Sequence, residues 1–79
     1  MNEKTTRLLL EMVRDHPRSW GWYQIDRALS FERVFGVNVP RAMAQLVERG
    51  LIEATGDMQL AATTYVLTDK GRAAVSGED

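Results

Sequence analysis

The segment from Asn38 to Val75 admits few orders of secondary structure, because its capping and turn signals fall at fixed places. Asn38 is a good N-cap, its side-chain oxygen able to accept from the open amides of a first helical turn. Pro40 in that turn loses no helical hydrogen bond. Val39, Ala42, Met43, Leu46 and Val47 recur at helical spacing, so a helix is predicted over 39–49, ended by Gly50. Leu51-Ile52 then starts a strand, Gly56-Asp57 marks a bend, and Thr63-Thr64-Tyr65-Val66-Leu67 has the β-branched and aromatic composition of a return strand. Thr68 is placed to cap a last helix over Asp69 to Val75, with Asp69 where the helix dipole favours negative charge.

The first half reads as two more helices. Leu8, Leu9, Met12 and Val13 form an apolar stripe over Glu3–Asp15, and Pro17 stops it. The Glu3–Arg7 pair is attractive and the Glu11–Asp15 pair repulsive, so the stripe rather than ion pairing accounts for this helix. A second helix starts near Trp22, burying Ile25, Ala28 and Leu29. Either Ser30 breaks it or it runs on through Val34, with Gly36 as a left-handed stop in the second case.

Two motifs in this order, Leu46-Val47-Glu48-Arg49-Gly50-Leu51-Ile52 and Tyr65-Val66-Leu67-Thr68-Asp69-Lys70-Gly71-Arg72, resemble those of winged helix-turn-helix regulators of the MarR and PadR types. The resemblance covers about Ile25 to Ala74. It implies an α+β, mainly α fold with a three-helix core, a β-hairpin wing and a short C-terminal helix. It also implies a very short strand at the Arg18–Tyr23 junction, pairing with the wing sheet. Most matching residues are structural: Leu46, Leu51, Ile52 and Leu67 are core, Gly50 and Thr68 are caps. Function therefore has to be read from exposed side chains.

If the helix over 39–49 enters the major groove of double-stranded DNA, its outer face carries Pro40, Arg41, Ala44, Gln45 and Glu48. Arg41 suits guanine O6 and N7, Gln45 suits adenine N6 and N7, and Ala44 suits a thymine methyl. Asn38, with Pro40 and the amides of the first turn, fits a phosphate. Arg27 and Arg33 fit the backbone on either side. The plain alternative for these residues is a solvated helix face. In the wing, Thr55, Gln59 and Thr63 offer neutral contacts, but Glu53 to Thr64 contains no cation, unlike the basic wings of the resembling regulators.

Charge is consistent with a divided role. The formal net charge is −1, unfavourable for binding phosphates overall. Residues 1–50 hold eight Lys/Arg against six Asp/Glu, whereas residues 51–79 hold two against five. Trp20, Trp22 and Tyr23 gather half of the six aromatics; they close the core between the first two helices or form a protein interface. His16 fits a helix C-terminus, where a cation favours the dipole, and Asp57 fits a turn. No phosphate loop, cysteine, zinc spacing or histidine–carboxylate pair with a plausible pocket is present, so neither an enzyme nor a metal or other cofactor is expected.

The expected organisation is a single domain over 1–79 with residues 76–79 as a frayed tail. No membrane span or signal peptide is expected, and the cysteine-free composition agrees with a cytoplasmic protein. The expected function is that of a small duplex DNA-binding protein, a transcriptional regulator or an accessory factor of a phage or mobile element. No separate effector domain is expected at this length, and tight binding calls for a homodimer through the first or last helix, because one module buries only about 600–1,000 Å². The alternative is a winged-helix module for protein–protein contact through its acidic wing and tryptophan junction.

Overall fold

A computed structural model describes residues 2–56 and 63–76. The elements run α1 (Glu3–Asp15), α2 (Trp22–Phe31), α3 (Val39–Glu48), β1 (Ile52–Gly56), β2 (Thr63–Leu67) and α4 (Asp69–Ser76). Three helices, an antiparallel hairpin and a closing helix form the expected α+β, mainly helical, winged-helix layout.

Local chemistry sets each boundary. Asn2 starts α1 by accepting from the Thr5 amide at 2.8 Å, and Asn38 starts α3 by accepting from the Arg41 amide at 3.2 Å. At the start of α2 the Gln24 side chain accepts from the Gly21 N–H at 2.9 Å. At the end of α3, Leu51 N–H reaches the Leu46 carbonyl and Gly50 N–H the Val47 carbonyl, both at 3.0 Å. Gly50 takes φ +76°, the left-handed residue of a Schellman ending.

α2 ends one residue past the break expected at Ser30 and does not run on through Val34. Its last helical residue is Phe31, and the left-handed residue of the ending is Arg33, at φ +59°. Val34 N–H donates to the Leu29 carbonyl at 2.9 Å and Arg33 N–H to Ser30 at 3.0 Å, the same Schellman pattern with a side chain in the glycine position. Gly36 is left-handed too, but lies further along the connection.

One core joins all the elements. Leu9, Leu10 and Val13 of α1, Ile25 and Leu29 of α2, and Met43 and Leu46 of α3 meet Leu51, Ile52, Tyr65, Leu67 and Val75. Burying side chains of this size contributes about 1.5–3 kcal/mol each. Three assignments change: Leu10 is buried while Leu8 is only half-buried, Ala28 is half-buried, and Val47 is exposed rather than core. In the hairpin Ile52 pairs with Leu67, Ala54 with Tyr65 and Gly56 with Thr63. Thr63, Tyr65 and Leu67 therefore share the buried face of β2.

The expected short strand at the junction is not formed. The sheet has two strands among the described residues, and the junction meets it through one backbone bond, Arg18 N–H to the Tyr65 carbonyl at 2.9 Å. Arg18 sits at φ +57° to make it, and a single left-handed residue breaks the extended run a strand needs. Ser76, expected in the frayed tail, is the last residue of α4; residues 77–79 lie outside the described residues.

The two sequence motifs lock together where α3 ends and α4 begins. Thr68 Oγ1 donates to the Gly50 carbonyl and accepts from the Gly71 N–H at 3.0 Å. Thr68 N–H donates to the Leu51 carbonyl at 3.1 Å, and Lys70 Nζ donates to the Arg49 carbonyl at 3.0 Å. Gly71 lies so close that a Cβ there would stand 2.0 Å from the Leu51 oxygen. Gly71→Ala must therefore push α4 off the turn, at about 2–3 kcal/mol by analogy with overpacking. Thermal denaturation is expected to show a melting temperature lower by roughly 10–20 °C, whereas Ala74→Ser on the exposed side of α4 should shift it little.

Candidate nucleic-acid interface

α3 turns one side to the core and the other to solvent. Val39, Ala42, Met43 and Leu46 are buried, and Arg41, Ala44, Gln45 and Glu48 are exposed. The three residues expected to read bases thus share one outward face, with Arg41 and Gln45 one turn apart. Among the described residues neither the Arg41 guanidinium nor the Gln45 amide has a hydrogen bond or ion pair within the molecule.

The residues expected on the DNA backbone are placed unequally. Asn38 caps α3 by accepting from the Arg41 N–H, which occupies that first-turn donor and leaves the Asn38 NH₂, the group able to donate to a phosphate, available. Pro40 is half-buried. Arg33 is exposed in the α2–α3 connection, its backbone in the left-handed conformation. That conformation costs a residue with a side chain about 1–2 kcal/mol. Arg27 is exposed on α2, with its guanidinium carbon 5.9 Å from the centre of the Tyr23 ring.

Beside this face, an open groove of about 940 Å³ runs between α1, the α2–α3 connection and α3. Arg41 and Gln45 form part of its wall. Lys4, Arg7, Arg33 and Arg41 line it together with only two carboxylates, Glu11 and Glu32. Arg7 is occupied, donating to the Val75 carbonyl at 3.0 Å and lying 3.5 Å from Glu11. Lys4, Arg33 and Arg41 have no ion pair among the described residues. The other two ion pairs, Arg14–Asp15 and Arg72–Asp69, belong to α1 and α4. Hydrogen bonding from Arg14 holds the Asp15 carboxyl below its ordinary range, and burial raises the Tyr65 phenol.

The hairpin offers less than expected. Thr63 is buried, because it falls on the core face of β2, so it does not present its side chain as a wing contact. The Thr55 hydroxyl is paired with that of Thr64 at 2.6 Å across the strands. Gln59 and Asp57 lie outside the described residues. Glu53 is the only charged residue in the described strands.

The aromatic junction is mainly structural. Trp20 and Trp22 pack against the core, and Trp20 stacks on His16 with ring centres 3.6 Å apart and planes 4° from parallel. Tyr23 alone of the three is exposed. The sequence reading missed Phe31 and Phe35, which are 83% and 73% exposed at either end of the connection. Helical phase does signal Phe31: six residues after Ile25, it lies roughly 120° around the helix from the buried stripe. No family model, no curated protein and no solved structure matches this chain.

Proposed function

We propose that this protein binds double-stranded DNA, with α3 in the major groove, as a small regulator or accessory factor of the winged-helix type resembling MarR and PadR proteins. The observation that carries the reading is the outward face of α3. Arg41, Ala44 and Gln45 are exposed together, and the two polar side chains have no partner among the described residues. A guanidinium and an amide one turn apart match the bidentate edges of guanine and adenine. Arg33 in the adjoining connection and Arg27 on α2 are exposed cations available to phosphates. The hairpin, with Glu53 as its described charge, makes little electrostatic contribution.

A second reading, a module for protein–protein contact, is favoured by the exposed Phe31, Phe35 and Tyr23. Aromatic side chains of this exposure are typical interface anchors.

Fluorescence anisotropy of labelled duplex DNA across a salt series distinguishes the two. Affinity is expected to fall with salt at a slope of about −0.9 per phosphate contact. Arg41→Ala should relax sequence preference, whereas Arg27→Ala should weaken all duplexes about equally. Absence of duplex binding at low salt by folded protein would remove the DNA reading.

Arg33 gives a separate test. Glycine relieves the left-handed penalty, so Arg33→Gly should stabilise the fold by about 0.5–1 kcal/mol and yet weaken duplex binding. A variant that is more stable and binds equally well would show that Arg33 takes no part.

A further inference from the structure

We infer that the groove between α1, the α2–α3 connection and α3 takes an unpaired DNA strand that continues from the duplex on α3. The duplex setting rests on the function proposed above. Phe35 is 73% exposed and lines this groove with Lys4, Arg33 and Arg41. A solvent-facing phenyl ring beside cations that lack carboxylate partners matches the two requirements of single-strand binding. Bases stack on an aromatic face, and phosphates follow positive charge. An apolar peptide would satisfy Phe35 but leave these cations unmatched, and the paired bases of an intact duplex cannot present a free face to it. Arg41 and Gln45 form part of the groove wall, so a strand leaving the duplex at the start of α3 enters it directly. The ligand is thus a junction between paired and unpaired DNA.

The test compares the full chain on three labelled probes: a blunt duplex, the same duplex with a single-stranded thymidine overhang, and an oligothymidylate alone. The overhang is expected to tighten binding about fivefold or more, the effect of stacking one base. Phe35→Ala should abolish that gain and leave blunt-duplex affinity unchanged, while Phe35→Tyr, which keeps a stacking ring, should retain it. Lys4→Ala should reduce the salt dependence of the overhang's contribution. Since Phe35 and Lys4 are both exposed, these variants are expected to keep the wild-type circular dichroism and melting.

No gain from the overhang, or a gain that survives Phe35→Ala, overturns the inference while leaving the duplex reading in place. Phe35-dependent binding of oligothymidylate without duplex binding would remove the duplex reading and the junction with it, leaving the groove as a site for an unpaired strand alone. Failure to bind any probe removes both. If no overhang effect is found and Phe35→Ala instead dissociates a dimer in sedimentation, the aromatic connection belongs to a contact between copies of this chain.

Discussion

The fold depends on the approach of α4 to the turn that follows α3. The Leu51 carbonyl accepts from the Thr68 amide and abuts Gly71 so closely that no side chain fits between them. Around that point Thr68 and Lys70 satisfy the Gly50 and Arg49 carbonyls, which the end of a helix leaves open. One short contact thereby fixes three directions: that of α3, that of β1 leaving it, and that of α4 returning across it. α1 then packs on α4 and β2, and Arg7 caps the far end of α4 through the Val75 carbonyl.

This arrangement explains why much of the fold is legible in the sequence. Asn38, Gly50 and Thr68 act through bonds to residues within a few positions, and local bonds leave local signatures. The extent of α1 and the start of α2 follow from a proline stop and apolar periodicity. The end of α2 is not legible because Arg33 occupies a conformation usually left to glycine, and Gly36 nearby offers a misleading candidate. The junction strand is expected only by resemblance. Arg18 makes one bond to Tyr65, and its left-handed backbone ends the extended conformation there.

The candidate site divides along the same line. Arg41, Ala44 and Gln45 are exposed together because helical phase opposes them to Met43 and Leu46, a relation the sequence contains. Thr63 is buried because strand register, set by the pairing of β1 with β2, turns it toward the core. The cap that starts α3 occupies the Arg41 amide, not the Asn38 NH₂. Phe31 is exposed through the same helical phase, as the last residue of α2. Phe35 is exposed in the connection that turns at Arg33, and its position depends on that backbone, which composition and periodicity do not reveal.

Ion pairing leaves unmatched cations on one side of the molecule. Among the described residues Arg14 and Arg72 are paired with carboxylates, as is Arg7 on the α1 wall of the groove, whereas Lys4, Arg33 and Arg41 around that groove are not. The central claim, that the unpaired side meets DNA through α3, is tested most directly by amide chemical shifts of ¹⁵N-labelled protein titrated with duplex DNA. The largest changes are expected at Arg41, Ala44, Gln45 and Arg33, with α4 little affected. Changes confined to α1 and α4, or none at all, would contradict it.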